Sequence, residues 1–222
     1  HSGEVLGIAG ISGNGQMELM EVLTGQRRLQ AGEIRAIGTR YTATRAEARQ
    51  HKIRYLPEEP LRNACAPKMS VADNLAFKMF DVRRNGRPAF WCSRKDMARN
   101  ADRLIAEFNV KTTSPDARIA SLSGGNVQRA VLGRELTGEV NALIISNPCF
   151  GLDFGAVSAI RDRIIEARNN GTAVLLISEN LDEIMELSDR ILVMSEGRIA
   201  FETTAAAADL TEIGQHMAGH AA

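Results

Sequence analysis

The chain lacks a long hydrophobic run. Its longest apolar stretch, Val5 to Ile11, includes two glycines and falls far short of the ~20 residues that span a bilayer. Any membrane role must pass through a partner. An excess of charge is also missing: 27 Lys plus Arg balance 27 Asp plus Glu, so no global basic field invites nucleic acid. Cysteine is scarce. Cys65, Cys92 and Cys149 stand far apart with no C-x-x-C pair, which suggests neither a disulfide framework nor a zinc site and fits a reducing, cytoplasmic setting. No charged start with an apolar segment and cleavage site behind it is present. The opening His1-Ser2-Gly3 in place of methionine leads us to expect a piece of a longer chain, truncated at its N-terminus. Internal repeats are absent, apart from a short alanine run at Ala205 to Ala208. What is present, 222 residues at 44% hydrophobic and 24% charged, suits one globular domain that buries roughly 70% of its unfolded surface.

Val5 to Ile11 leads into Gly10, Gly13 and Gly15, after which Met17, Leu19, Met20 and Leu23 follow at helical spacing. The pattern predicts a strand, a glycine turn and a helix. Ile53 to Leu56, Ala142 to Ile145, Ala173 to Ser178 and Ile191 to Met194 are short apolar runs of the kind that fill a buried parallel sheet. Val157, Ile160, Ile164 and Ala167 mark a helix stopped by Asn169, Asn170 and Gly171, which predicts a βαβ crossover. The middle differs. Ser70 to Phe80 and Ser93 to Phe108 read as helices, each opened by a capping-box pattern, Ser70 with Asp73 and Ser93 with Asp96. Met97, Ala101, Leu104, Ile105 and Phe108 form one apolar stripe that core packing explains. Arg83 to Pro88 reads as a basic, solvated loop. The expected architecture is α/β: a mostly parallel sheet flanked by helices, with a helical insertion near residues 60 to 115.

Two motifs carry chemistry. Gly10-Ile11-Ser12-Gly13-Asn14-Gly15-Gln16-Met17 has the G-x-x-x-x-G spacing of a phosphate loop, after a strand and before a helix. Glycines let backbone N–H groups converge on an anion, and the helix N-terminus adds partial positive charge. The lysine expected for terminal phosphates is Gln16, and the hydroxyl expected for magnesium is Met17. A tight strand-to-helix turn explains the glycines equally well. The second motif is Leu122-Ser123-Gly124-Gly125-Asn126-Val127-Gln128-Arg129, with Val127, Val131 and Leu136 continuing as an amphipathic helix. A serine followed by two glycines at a helix start offers a hydroxyl and open amides to a phosphate. It also serves as a plain helix cap.

Leu122 to Asn126 resembles the LSGGQ signature of ATP-binding-cassette ATPases. Its Gly-Gly-Asn form is similar to the second cassette of tandem ATPases in simple-sugar and nucleoside importers. Gly3-Glu4-Val5, Asn14-Gly15-Gln16, Tyr55-Leu56-Pro57-Glu58, Ser70 to Leu75, and Glu212-Ile213-Gly214 to Met217-Ala218-Gly219 extend the resemblance over nearly the whole chain. The resemblance implies a P-loop fold with two cassettes head to tail, each signature closing over the partner's nucleotide. Ser123, Gly124 and Gly125 then act on the partner's ATP, while Gly10, Ser12, Gly13, Asn14, Gly15, Gln16 and Met17 receive nucleotide in their own half.

The own half departs from the family pattern. The Walker B carboxylates are replaced by Ser146 and Asn147, the switch histidine by Glu179 (followed by Asn180), and the Q-loop glutamine by Glu58. Asp153 in Gly151-Leu152-Asp153 matches the D-loop, whereas Cys149 and Phe150 depart from the residues common beside it. A general base is worth ~10²–10⁴-fold in rate, and one charged phosphate contact ~1.5–3 kcal/mol. We therefore expect weak nucleotide binding and negligible turnover in this half, no catalytic residue assigned to it, no metal held by this chain, and ATP with magnesium at the partner's site. The resemblance further implies another nucleotide-binding domain as partner, the first half of the same polypeptide. It also implies permease subunits docked around Glu58 to about Asp81, a solute-binding protein acting indirectly, no nucleic acid, and a place on the inner face of the cell membrane. Two alternatives compete. One is a self-sufficient homodimeric ATPase in which Glu58, Glu59 or Glu179 replaces the missing carboxylates. The other is a regulatory cassette of DNA repair or translation, against which the balanced charge counts.

Overall fold

The structure, a computed structural model, describes residues 1–78 and 93–219. The basic segment 83–88, Phe80 and Cys92 lie outside the described residues. In chain order the elements are β1 (Val5–Ala9), α1 (Gln16–Leu23), β2 (Ile34–Ala36), β3 (Thr39–Tyr41), α2 (Arg45–Gln50) and β4 (Ile53–Leu56). Next come α3 (Pro60–Asn63), α4 (Val71–Leu75), α5 (Arg94–Glu107) and α6 (Gly124–Glu135). The remainder is β5 (Ala142–Ser146), α7 (Phe154–Asn169), β6 (Ala173–Ser178), α8 (Leu181–Leu187), β7 (Arg190–Ser195), β8 (Arg198–Thr204) and α9 (Leu210–Met217). The chain divides into two compact units, one of His1–Tyr55, Glu139–Asn147 and Arg161–Ala222, the other of Leu56–Gly138 and Pro148–Ile160.

The first unit is built on a sheet in the order β4-β5-β6-β1-β7-β8. The β5–β6, β6–β1 and β1–β7 pairs are parallel, and β8 returns antiparallel along β7. The strand runs read from the sequence end within about a residue or two of these elements, and β5-α7-β6 is the expected crossover. Val5, Leu143, Ile145, Leu176, Ile191 and Val193 are fully buried, as strands covered on both faces must be. On one side Met20 of α1 packs with Ile8, Ile144, Ile177 and Met194. Gly171, at φ 92°, closes α7, the left-handed stop that its glycine supplies.

The second unit is helical. Ser70 and Asp73 make a reciprocal capping box on α4, Asp73 N–H to Ser70 Oγ at 3.0 Å and Ser70 N–H to Asp73 Oδ2 at 3.2 Å. α4 ends at Leu75, earlier than the sequence pattern predicts. There the Ala76 N–H is shared between the carbonyls of Ala72 and Asp73, the bifurcated bond of a tightening last turn. At Ser93 the hydroxyl accepts from Asp96 N–H at 3.3 Å, while the Asp96 carboxylate pairs with Arg99. The stripe of α5 buries Ala101, Leu104 and Phe108. Gly133 of α6 admits the Phe108 ring, since a Cβ there would come within 2.8 Å of it.

Charge is also buried in this unit. Arg134 is 5% exposed and Glu135 1%. The guanidinium donates to Glu135 Oε1 at 2.9 Å, Ala64 O at 2.8 Å and Asn74 O at 3.3 Å, and lies 5.5 Å from the Phe77 ring centre. One side chain thereby gathers α3, α4 and α6. The same surroundings push the Cys65 thiol up to about 11 through burial, so it stays protonated at neutral pH. Lys78 Nζ lies 3.1 Å from Glu135 Oε2 as well, so losing Arg134 leaves the buried carboxylate with a half-exposed cation and removes the donors to Ala64 O and Asn74 O. Arg134→Met is expected to cost about 3 kcal/mol in urea unfolding followed by circular dichroism; a loss below about 1 kcal/mol would show that the pair is not structural.

Candidate nucleotide and signature sites

The first unit brings Gly10 to Met17, Ser146, Asn147 and Glu179 to one edge of the sheet. Ala9 is paired with Ser178 and Ser146 with Ile177, so these residues sit at the carboxyl ends of adjacent parallel strands, where such sheets bind ligands. Gly13 and Gly15 hold φ of 92° and 102°, a region that side chains resist. Between them Asn14 fastens the loop: its Oδ1 accepts from Glu196 N–H at 3.1 Å and its carbonyl from Gly197 N–H at 3.0 Å.

Gln16 is turned onto its own loop. It is 7% exposed, donates through Nε2 to Ile11 O at 3.2 Å, and lies over Gly10. A Cβ on Gly10 would overlap that amide and come within 2.8 Å of Met194 O. Met17 is 56% exposed and offers no oxygen to a cation. Asn147 has φ 40°, donates its N–H to Ile177 O at 2.8 Å and accepts from Glu179 N–H on Oδ1 at 3.0 Å. Ser146 is buried, and the Glu179 carboxylate is exposed. Ser178 donates to Glu183 Oε2 at 2.6 Å and accepts from Asn180 N–H at 3.1 Å. Glu183, buried at 2% exposure, is not foreshadowed in the sequence. Its position three residues after the α8 cap Asn180 is a weak capping signal.

Glu58, Asp153 and the signature belong to the second unit. Glu58 is half-buried just after β4. Asp153 Oδ1 accepts from Ala156 N–H at 2.9 Å and so starts α7. Leu122 closes a 3-10 turn, and Ser123 takes the N-cap place of α6 at φ −65°, ψ 156°, yet its side chain makes no cap bond. Among the described residues the amides of Gly124 and Gly125 have no acceptor, whereas those of Asn126 and Val127 turn to Ser123 O. A polar hollow of about 430 Å³ lies here, lined by Ser123, Asn126, Asp153, Asn109, Lys111 and Arg129. Arg129 spans it, donating to Asn109 O and Gly155 O at 3.2 Å each. Asn109 and Lys111 were invisible to motif reading because they follow α5, well before the signature. Gly125 packs tightly, its missing Cβ 3.1 Å from Ala156 Cβ, while a Cβ on Gly124 would meet only Leu152 at 3.9 Å.

Among the described residues no group of three or more His, Cys, Asp or Glu could hold a metal ion, and no helix is long and apolar enough to cross a membrane.

A family model described as ABC transporter matches residues 1–149. The chain belongs to the ABC transporter family. This ABC chain is 40% identical over 220 residues to the glucose import ATP-binding protein TsgD13 of Haloferax volcanii, covering 98% of itself and 40% of that protein. It is 36% identical over 219 residues to the nucleoside import ATP-binding protein NupA of Lactococcus lactis, covering 98% of itself and 43% of that protein. The chain thus spans about two fifths of the length of these curated relatives. A crystal structure of an ABC transporter's ATP-binding cassette in an ADP conformation shares its fold, with a TM-score of 0.74 at 22% identity over 98% of this chain and 85% of the other. The mixed sheet and flanking helices are therefore those of the ABC ATPase fold.

Gly10 tests the packing of this ABC loop. Gly10→Ala is expected to destabilise the chain by about 1–3 kcal/mol through overpacking, read by thermal melting. Unchanged stability would mean that Gln16 does not lie over Gly10.

Proposed function

We propose that this chain is the hydrolysis-deficient second nucleotide-binding domain of an importer for a sugar or nucleoside, and that its signature completes the ATP site of the partner domain. The carrying observation is the contrast between Gly124 and Gln16. Among the described residues a Cβ at position 124 would meet only Leu152, at 3.9 Å, and the amides of Gly124 and Gly125 have no acceptor. Such donors suit an anion supplied from outside. The phosphate loop leaves the first-turn amides of α1 open as well, but the side chain at the position expected to meet terminal phosphates, Gln16, donates to Ile11 O.

The rest of the own half supports the same reading. Asn147 is committed to Glu179 N–H, and phosphoryl transfer depends on placed charge that an amide does not supply. Nucleotide held by Ser12, Gly13 and Gly15 would be bound weakly, with magnesium and the hydrolytic water on the partner's side. Relatives named for glucose and nucleoside import support the solute class. Their greater length supports a partner domain within the same polypeptide, and their import role supports permease subunits beside it and a place at the membrane's inner face.

Ser123→Arg in the full-length protein is expected to lower ATP hydrolysis by about 100-fold or more, whereas Gln16→Ala should change it by less than about threefold. Steady-state phosphate release checks both. Normal turnover in the Ser123 variant would contradict the proposal, and a large loss in the Gln16 variant would favour a self-sufficient ATPase.

A further inference from the structure

We propose that Asn126 is a positioning residue that presents the Ser123 hydroxyl as a hydrogen donor to the terminal phosphate of the partner's nucleotide. The inference rests on the signature reading above and follows from hydrogen-bond polarity. The Lys111 backbone N–H donates to Asn126 Oδ1 at 2.7 Å. A backbone N–H can only donate, so the carboxamide has one orientation, oxygen toward Lys111 and nitrogen away from it. That nitrogen lies 2.8 Å from Ser123 Oγ and can also only donate. Ser123 Oγ is therefore an acceptor in this pair, and its single hydrogen is left for a further acceptor.

The same bond explains why a serine in N-cap geometry does not cap. An N-cap serine usually takes the N–H three residues on, which here is that of Asn126. That N–H instead donates to Ser123 O at 2.9 Å, while the Asn126 side chain holds the hydroxyl away from the helix amides. Ser123 is exposed and Asn126 half-buried, and both line the hollow with Lys111 and Arg129. An incoming phosphate oxygen would meet one oriented hydroxyl, two open amides and the cations of Lys111 and Arg129, on a lining that also holds the Asp153 carboxylate, bonded by Ala156 N–H. A carboxylate in place of the carboxamide would keep the acceptor for Lys111 N–H, but would take the serine hydrogen for itself and repel the phosphate.

The test is steady-state ATP hydrolysis by the full-length protein assembled with its permease, in Ser123→Ala, Asn126→Ala, Asn126→Asp and the double alanine variant. Both single alanine variants should lose about tenfold in kcat. The double variant should fall no further than Ser123→Ala, because Asn126 acts through the hydroxyl. Asn126→Asp should lose roughly 100-fold with an unchanged melting temperature, since the Lys111 bond survives. If Asn126→Ala fails to fold, the aspartate variant decides alone. Multiplying alanine effects, or wild-type turnover in a folded Asn126 variant, would overturn the inference while leaving the signature reading intact. Wild-type turnover in Ser123→Ala would overturn both.

Discussion

The first turn of an α-helix carries N–H groups that its own helix cannot satisfy, and among the described residues both candidate sites leave such donors without an acceptor, Gln16 to Glu18 in α1 and Gly124 and Gly125 in α6; the two sites differ in what the neighbouring side chains do. At α1 the preceding loop is closed on the chain itself: Gln16 bonds Ile11 O, and Asn14 bonds the turn after β7 on two sides. At α6 the donors of Gly124 and Gly125 have no acceptor among the described residues, and the Ser123 side chain at the N-cap is held aside by Asn126. An open donor set costs stability in an isolated domain, because a capping bond is typically worth ~1 kcal/mol. That cost is intelligible if a partner's phosphate satisfies the donors during turnover.

Asn147, Ser178 and Asn180, at the carboxyl ends of β5 and β6, hold the chain itself together. Asn147 suits the left-handed conformation at the end of β5, which asparagine tolerates better than most side chains, and its amide oxygen ties that strand end to Glu179 N–H. Ser178 and Asn180 start α8 and hold the buried Glu183. None of these bonds depends on nucleotide.

Much of this was legible in the residues. Runs such as Ala173 to Ser178 became buried parallel strands because both faces of the sheet are covered, and Ser70 with Asp73 became the capping box that its spacing implied. The phosphate-loop and signature segments were read from local pattern and took the expected places, strand-to-turn-to-helix and helix start. What escaped reading is tertiary. Lys111 N–H on Asn126, Glu196 N–H on Asn14 and the guanidinium of Arg129 on Asn109 O join residues whose partnership leaves no periodic trace. The early end of α4 escaped because apolar spacing continues past the point where the last turn tightens.

The central claim is that the phosphate-loop half does not turn over by itself. It is tested most directly by ATP hydrolysis of this chain alone with magnesium, across a wide range of protein concentration, with cooperative melting to confirm the fold. The account predicts no turnover at any concentration. Hydrolysis that rises faster than linearly with concentration, and vanishes in Ser123→Arg, would show a working homodimer and contradict it.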